Sequence, residues 1–457
     1  MAFDKMELKD IEVWDGNFAA AQALRQCQID VVAAYPITPS TPIVEGYGKF
    51  LADGYIEGEF VMVESEHAAM SGCIGASAAG GRVATATSSQ GFALMVETLY
   101  QASGMRLPIV LNVVNRALAA PLNVNGDHSD MYLGRDSGWI QLDAYCPQDA
   151  YDLNFIAFKV CEDHEVRLPC MVHQDGFMTS HTAQGVHTLP DDTAYGFIGD
   201  FKPMNDMLDF EHPVTHGVQT EEDWHFEHKA RQHHDLMTKV MPKIQAAFDS
   251  FEKLSGRKYN IVEKYDMDDA DVCVVCLGTS VETAREVATE MREKGIKAGV
   301  VGIRVIRPFP FFEIAEALKG VKAIATLDRS SPNGAPGMLF NEIAGALFNT
   351  NTKAMLSGYV YGLGGRDLTK AHLVSLYTEL QANVDAGKVT TQLQQFIGVR
   401  GPKLSFLDQN ANNSVDEASL NNMSKAEVVA CAKSLNIKVL VKDSKATAIE
   451  KILAGSK

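Results

Sequence analysis

Two successive series of short apolar runs, alternating with stretches of helical pattern, constrain the fold of this chain more than any other feature of its sequence. In the first series the runs are almost continuously apolar, which indicates strands buried on both faces, as in a parallel sheet covered by helices. These runs are VVAAYP (31–36), EFVMVE (59–64), VATATS (83–88), LPIVLNVVN (107–115) and LPCMVHQDG (168–176). A second series runs from DVCVVCLGTS (271–280) to AMLSGYVYGLGG (354–365). The alternation predicts an α/β protein with two doubly wound parallel sheets, of which the second is smaller.

The positions where this alternation stops set the predicted domain boundaries. We expect an α/β domain at 1–190, a connector with a helix at 191–265, a second α/β domain at 266–400, a linker at 401–422 and a small helical extension at 423–457. The connector is polar and contains several histidines, so we expect it to wrap the first domain rather than to form a core of its own.

The extension at 423–457 has the pattern of a helix, a short apolar extended piece and a second helix. Its first helix opens with a capping box made by Ser424 and Glu427, and lysines outnumber acids along the segment. The extension resembles small SAP-like modules, whose relatives often bind DNA. An amphipathic appendage that packs on a partner subunit is the alternative, and we favour it.

The net charge of the chain limits the classes of partner that it is expected to bind. Its 457 residues carry a formal net charge of −17. An acidic surface disfavours nucleic acid and anionic membranes, because both are bound through clustered Lys and Arg. The first residues contain no apolar signal segment, and no apolar run is long enough to span a bilayer. We therefore expect a cytoplasmic protein without a membrane span, and we do not expect nucleic acid as a partner.

The eight cysteines are scattered through apolar segments, which favours buried, reduced thiols. Cys273 and Cys276 form a CxxC, a spacing that in a loop can hold zinc or an iron–sulfur cluster. Here the pair lies in VCVVCLG, where a buried strand is the favoured interpretation, because residues three apart on a strand point to opposite faces. The sequence contains no second CxxC and no dinucleotide or P-loop fingerprint. We therefore assign this chain no cluster and no metal.

Polar residues follow the predicted strands of the first series at the points where these strands end. They are Thr38, Glu64, Glu66, the segment 87–90, Arg116 and Asp175. Since ligands of open parallel sheets bind at the carboxyl ends of the strands, we expect these residues to line one pocket. The predicted helix after Glu66 is rich in small residues such as Gly72 and Gly75, so a backbone or a flat ligand can approach it closely.

Two further groups of residues have a structural interpretation. His128, Asp130 and Asp136 are expected to order the loop around the pocket. A second group could bind a metal at helical spacing, but a solvated helix face is the favoured interpretation. This group consists of His225, His228, His233 and His234.

An ordered succession of motifs resembles the α subunit of the pyruvate:ferredoxin oxidoreductase family, whose members are thiamine-diphosphate-dependent 2-oxoacid:acceptor oxidoreductases. The motifs include YPITPSTPIVE (35–45), VESEHAAMSGCIGASAAGG (63–81), RLPIVLNVVNRAL (106–118), GDHSD (126–130), DGFMTSH (175–181), RPFP (307–310) and LDRS (327–330). The similarity spans roughly residues 12–390, and the tail lies outside it.

The resemblance implies a fold and a cofactor site. It makes 1–190 the domain that binds the aminopyrimidine half of thiamine diphosphate, and 266–400 a domain like the C-terminal one of transketolase. Glu66 matches the glutamate that accepts a hydrogen bond from N1′ of the ring, which makes it the predicted catalytic residue. The other predicted cofactor-binding residues are Pro36, Ile37, Ser88, Gln90 and Gly91.

The resemblance also implies a substrate. Thr38 and Arg116 match the family positions that hold the substrate carboxylate, and a hydroxyl beside a guanidinium suits an anion. Relatives that handle oxalate carry an arginine where Thr38 stands, which argues against a dianionic substrate. The predicted reaction is CoA-dependent oxidative decarboxylation of a 2-oxoacid to an acyl-CoA and CO₂. Pyruvate is the favoured substrate, and a bulkier aryl or branched 2-oxoacid stays open.

Other subunits have to complete such an enzyme. Thiamine enzymes bind the diphosphate through Mg²⁺ with a GDG motif, and no GDG occurs in this sequence. The resemblance implies a β subunit that holds the diphosphate and Mg²⁺, together with γ and ferredoxin-like subunits that hold the iron–sulfur clusters. Electrons would leave through these partners to ferredoxin or another acceptor. A non-catalytic scaffold, with a tail that binds nucleic acid or a partner, is the alternative from another functional class.

Overall fold

The computed structural model describes residues 6–350, 352–390, 392, 394–399, 420–421, 423–434, 437–440 and 443–455. Contacts divide the chain into two compact units, Met1–Gly398 and Val399–Lys457. Both series of apolar runs fall in the first unit. The predicted linker lies outside the described residues, except for 420–421.

Strands and helices alternate along the first unit, as the apolar pattern predicts. The strands are β1 (Ile11–Trp14), β2 (Val31–Ala34), β3 (Glu59–Met62), β4 (Val83–Thr87), β5 (Ile109–Asn115), β6 (Ile140–Ala144), β7 (Cys170–Asp175), β8 (Gln184–His187), β9 (Val262–Tyr265), β10 (Val272–Cys276), β11 (Ala298–Ile303), β12 (Val305–Arg307), β13 (Ala323–Asp328), β14 (Met355–Val360) and β15 (Gln394–Phe396). All five strands predicted in the first series are present, whereas β1, β6, β8, β9, β12 and β15 were not predicted.

The helices of this unit cover the faces of the sheets. They are α1 (Gly16–Gln26), α2 (Thr41–Ala52), α3 (Glu66–Ala78), α4 (Ser89–Gly104), α5 (Ser129–Leu133), α6 (Pro147–Cys161), α7 (Asp191–Ile198), α8 (Glu222–Asp235), α9 (Met241–Ser255), α10 (Ser280–Glu293), α11 (Phe311–Ala317), α12 (Met338–Phe348) and α13 (Lys370–Ala386). A π-helical turn, Leu236–Val240, joins α8 to α9. Within the described ranges, no helix has both the length and the apolar character needed to cross a membrane.

The described strands form two large sheets and one small one. The seven-stranded sheet has the order β12-β6-β7-β5-β4-β2-β3, and the six-stranded sheet has the order β15-β14-β13-β10-β11-β9. Neighbouring strands are parallel except for β12 with β6 and β9 with β11. Strands β1 and β8 pair antiparallel by themselves. The predicted α/β class with two mostly parallel sheets is therefore confirmed.

Strand β3 departs from the predicted burial on both faces. It lies at the edge of the seven-stranded sheet, where Val61 and Met62 are exposed, Met62 to 58%. Strands β4 and β5 lie inside the same sheet and are buried at every residue. The prediction of burial for β3 was wrong, because an apolar run has the same pattern at the centre and at the edge of a sheet.

The CxxC lies on a buried strand. Every residue of β10 is buried, and both cysteines are free thiols. Cys273 contributes to the hydrophobic cluster on one face of the sheet and Cys276 to the cluster on the other face. The interpretation of VCVVCLG as a strand is confirmed.

Two strands pair across the predicted domain boundaries. Strand β9, at the end of the predicted connector, pairs with β11 of the six-stranded sheet, and β12, from the predicted second domain, pairs with β6 of the seven-stranded sheet. The buried Arg304 beside them binds Asp149 at 2.9 Å and Glu263 at 3.3 Å. This exchange of strands joins the two sheets within one compact unit. The predicted boundaries at 190, 265 and 400 stay predictions.

The second unit contains two helices, Lys425–Ser434 and Lys445–Gly455. Its small core is formed by Leu420, Val428, Ala432, Ala448, Ile449 and Ile452. The predicted capping box is present, since the N–H of Ser424 donates to Glu427 Oε2 at 2.7 Å and the N–H of Glu427 donates to Ser424 Oγ at 3.3 Å. The predicted pair of helices is confirmed, and what this unit binds stays a prediction.

Candidate active site

Glu66 is the first residue of α3, at the carboxyl edge of the seven-stranded sheet. The helix begins here because Ser65 has an extended backbone and its hydroxyl accepts a hydrogen bond from the N–H of Ala68 at 3.2 Å. The Glu66 side chain is buried, with 7% of its surface exposed. Glu64, two residues earlier, is exposed. The structure therefore separates two glutamates that look alike in sequence.

Gly91 leaves room for the side chain of Glu66, because glycine has no Cβ atom. A Cβ atom at Gly91 would lie 2.5 Å from Glu66 Oε1 and 2.7 Å from Thr87 Oγ1, so only glycine fits there without a shift. Beside this contact, Thr87 Oγ1 and Ser88 Oγ are buried and have no hydrogen-bond partner among the described residues. Unpaired buried hydroxyls are costly, so they point to a missing polar partner. The carboxylate of Glu66, the unpaired hydroxyl of Thr87 and a glycine without room for a side chain therefore lie together, and Ser88 is the next residue after Thr87.

Arg116 and Thr38 lie next to each other. Arg116 Nη1 donates to the carbonyl oxygen of Thr38 at 2.9 Å, and Nε donates to the carbonyl oxygen of Asn123 at 3.3 Å. Arg116 follows the buried strand β5, and Thr38 lies in the exposed loop after β2. The structure therefore brings together the two residues that the sequence predicted for the substrate carboxylate.

The charge of Arg116 lacks a carboxylate partner among the described side chains. Only 6% of its surface is exposed, and burial lowers its pKa while nearby Asp130 raises it. Of the five other buried arginines in the described part of the chain, Arg25, Arg82, Arg304 and Arg329 each bind an acid at 2.6 to 3.0 Å, whereas Arg167 donates to a backbone carbonyl group. Because buried charges are normally paired, the guanidinium of Arg116, which binds only backbone carbonyl groups, is suited to receive an anion.

Asp130 connects the two halves of the site. Its Oδ2 accepts hydrogen bonds from the backbone N–H of Ser89 at 2.8 Å and from that of Arg116 at 2.9 Å. Burial raises the pKa of Asp130 to about 6, against the lowering effect of these bonds. One carboxylate thus ties the start of α4, which carries Gly91, to the end of β5.

A buried charge cluster lies behind the site, where the carboxyl edges of the two large sheets meet. Asp175 Oδ1 lies 2.7 Å from His128 Nε2 and 3.0 Å from Arg329 Nη1, and Oδ2 accepts from the hydroxyl of Thr279 at 2.5 Å. Burial alone would raise the pKa of Asp175, but Arg329 and His128 together lower it well below its usual range. Burial alone would lower the pKa of His128, but Asp175 raises it. Arg329 was not among the predicted site residues, although it follows directly after β13 in the motif LDRS (327–330) at this edge of the sheet.

Most of the remaining predicted residues are exposed at the surface. Pro36 and Gln90 are exposed, Ile37 is half-buried, and Gln90 Oε1 accepts from Ser89 Oγ at 2.6 Å. Asp136 is 65% exposed and pairs with Arg135. The group formed by His225, His228, His233 and His234 is exposed along α8, and no set of three ligating side chains suited to a metal occurs in the described part of the chain.

Two family models match the chain. Residues 22–246 match a model described as pyruvate flavodoxin/ferredoxin oxidoreductase, thiamine diP-bdg. Residues 270–373 match a model described as pyruvate:ferredoxin oxidoreductase core domain II. Together these matches include every strand of the seven-stranded sheet and the strands β10, β11, β13 and β14 of the six-stranded sheet.

Curated relatives match over most of their length. The chain is 46% identical over 387 residues to pyruvate synthase subunit PorA of Thermotoga maritima, covering 84% of this chain and 97% of the relative. It is 40% identical over 395 residues to ketoisovalerate oxidoreductase subunit VorA of Pyrococcus abyssi, covering 86% of this chain and 99% of the relative. Both identities, over nearly the whole length of each relative, show that this chain belongs to the same family as these relatives.

Solved structures share the fold at low identity. The 2-oxoglutarate:ferredoxin oxidoreductase from Magnetococcus marinus matches with a TM-score of 0.62 and 20% identity, over 82% of this chain and 66% of that chain. A split-gene transketolase matches with a TM-score of 0.50 and 13% identity, over 81% of this chain and 99% of that chain. These likenesses concern the fold alone.

Proposed function

The chain belongs to the pyruvate:ferredoxin oxidoreductase family as the α subunit of a 2-oxoacid oxidoreductase, and on this premise we propose that its substrate is pyruvate. In the proposed reaction, pyruvate, CoA and two oxidised one-electron acceptors give acetyl-CoA, CO₂, two reduced acceptors and a proton. The bond between the carboxylate carbon and the carbonyl carbon breaks, and its electron pair passes to the acceptors as the thioester forms.

The observation that carries this proposal is the buried guanidinium of Arg116, which forms no ion pair with any described side chain. A substrate carboxylate would form with this guanidinium the ion pair that no described side chain forms, in addition to the favourable effect of nearby Asp130. Because the carbonyl oxygen of Thr38 accepts a hydrogen bond from Arg116, we infer that the hydroxyl of Thr38 binds the same carboxylate. A single guanidinium suits a monoanion such as pyruvate, because a second carboxylate would need a second cation.

The residues around Glu66 fit the aminopyrimidine half of thiamine diphosphate. The carboxylate of Glu66 can accept a hydrogen bond from N1′ of the ring, and the free hydroxyls of Thr87 and Ser88 can bind other polar ring atoms. Gly91 keeps the contact side of Glu66 clear of a side chain. When bound, the cofactor supplies the carbon nucleophile and the electron sink that decarboxylation requires. The part of Glu66 is to hold the proton that N1′ shares with it.

The family assignment supports the use of both thiamine diphosphate and CoA. We infer that a β subunit binds the diphosphate and Mg²⁺, that γ and ferredoxin-like subunits hold the iron–sulfur clusters, and that ferredoxin or another acceptor is reduced through them. The absence of a GDG motif from the sequence supports this division of labour. A non-catalytic scaffold would not need a buried glutamate and an unpaired arginine at one edge of a sheet.

A screen of the purified complex with several 2-oxoacids and a redox dye tests the choice of substrate. We expect the highest kcat/KM with pyruvate, followed by 2-oxoisovalerate and phenylglyoxylate. A higher kcat/KM with the branched or the aryl acid would overturn pyruvate but keep the reaction class. Failure of all 2-oxoacids would refute the proposed function itself.

Replacing Arg116 with lysine should raise the KM for the 2-oxoacid roughly 10- to 100-fold, the usual contribution of hydrogen bonds to a charged group. The reason is that an ammonium cannot reproduce the planar fork of a guanidinium. KM is measured in the assembled complex, together with its thermal stability. Arg167→Lys is a matched control, because Arg167 is also buried but hydrogen-bonds to the carbonyl of Lys202 at the opposite edge of the sheet. Equal KM values for both variants would remove Arg116 from the substrate site.

The chain expressed without its partners should have no 2-oxoacid-dependent dye reduction and should contain no iron. This result is expected because the diphosphate site and the electron carriers would be on other subunits. The measurement combines a dye-reduction assay, iron analysis and an absorbance spectrum of the lone chain. Substantial activity, or an absorbance band typical of a cluster, would contradict the proposed division among subunits.

A further inference from the structure

Asp130 is a fully buried carboxylate whose oxygens are both occupied by hydrogen-bond donors. Oδ2 accepts from the backbone N–H groups of Ser89 and Arg116 at 2.8 and 2.9 Å. Oδ1 accepts from Asn115 Nδ2 at 3.0 Å and from the backbone N–H of Met131 at 2.7 Å. Four donors on one side chain suit a carboxyl group and not an amide, because an amide would turn its own N–H₂ toward some of them.

The two amides on Oδ2 belong to the two halves of the candidate site. Ser89 begins α4 with a positive φ of 48°, a conformation that needs outside support in a residue other than glycine. Gly91, two residues later, is the contact of Glu66. Arg116 follows directly after the buried strand β5 and carries the guanidinium proposed to bind the substrate. A shift of Asp130 would therefore move the cofactor side and the substrate side relative to each other.

We propose that Asp130 is a positioning residue that fixes the substrate-binding guanidinium of Arg116 relative to the Glu66-contacting start of α4. The inference rests on the proposed function, because it assumes that these two segments hold a 2-oxoacid and thiamine diphosphate. It does not require Asp130 to touch either molecule.

The test is Asp130→Asn in the assembled complex. We expect the KM for the 2-oxoacid and the thiamine diphosphate concentration for half-maximal activity to rise together, each roughly 10-fold, the order expected when a charge-assisted hydrogen bond is lost. Asp152→Asn is the control, because Asp152 is equally buried but binds Arg257 and Tyr259, both at 2.6 Å, away from the site. It should lower the melting temperature and leave both constants unchanged.

If the complex that carries Asp130→Asn does not assemble, a second variant tests the proposal. Asn115→Ala removes one donor from Oδ1 but leaves both amides on Oδ2, so a smaller joint rise, roughly 3-fold, is expected. Unchanged constants in a folded variant overturn the proposal, and so does a rise in only one constant, because Asp130 would then position a single segment. A wild-type complex without turnover on any 2-oxoacid would instead refute the proposed function.

Discussion

Replacing Glu66 with glutamine should slow turnover by roughly 10²- to 10⁴-fold, the usual effect of removing a positioned proton-transfer group. The fold should stay intact, because glutamine has nearly the same shape and the cap of α3 depends on Ser65. The amide cannot hold the proton that a carboxylate shares with N1′. The measurement is kcat of the assembled complex at saturating 2-oxoacid, CoA and thiamine diphosphate.

Glu64→Gln is the matched control for this prediction. Glu64 has the same side chain two residues earlier but is exposed, so its replacement should leave kcat near the wild-type value. Gly91→Ala is a second probe, since its Cβ would displace the Glu66 carboxylate without removing it. Near-normal turnover of Glu66→Gln in a folded complex would refute the assignment of Glu66.

Replacing Asp175 with asparagine should lower the free energy of unfolding by about 3–5 kcal/mol, the cost of removing one partner from a buried ion pair. The variant would leave the charged groups of His128 and Arg329 buried without their shared carboxylate. Because the pKa of Asp175 is lowered in the folded chain, its contribution is complete above its ordinary value of 3.8 and is lost as the pH falls toward the folded pKa. The difference between wild type and variant should therefore shrink in acid.

Chemical or thermal unfolding of both proteins at neutral and acidic pH measures this effect. Asp136→Asn is the control, because its carboxylate is 65% exposed and its pair with Arg135 lies at the surface. Its replacement should change stability by no more than about 0.5 kcal/mol. If Asp175→Asn is as stable as this control, the cluster does not hold the two sheets together.

The five strands of the first apolar series and the first turn of α3 were predictable because they depend on local sequence. Apolar runs such as VATATS form strands wherever they lie in a sheet, and Ser65 caps α3 through its own neighbour Ala68. The placement of Glu66 at a helix start needed no distant residue. The CxxC could also be read locally, since a Val-rich run favours a strand over a metal loop.

Other features could not be predicted, because they depend on which distant segments become neighbours. The exposure of Met62 follows from the edge position of β3, and the pairing of β12 with β6 joins segments about 160 residues apart. The sequence pattern of a strand carries no information on sheet order. The predicted boundary at 266 therefore did not anticipate that the two sheets exchange strands.

The sequence by itself determined the α/β class, five of the seven strands of the first sheet and, through its motifs, Glu66, Thr38 and Arg116 as candidates. Only the tertiary structure decided that Arg116 is buried without a carboxylate partner among the described side chains, and that Asp130 binds the amides of both Ser89 and Arg116. It also brought Asp175 to Arg329, a residue more than 150 positions later. The reason is physical: local patterns fix secondary structure, whereas the burial and pairing of a charge depend on every segment that packs around it.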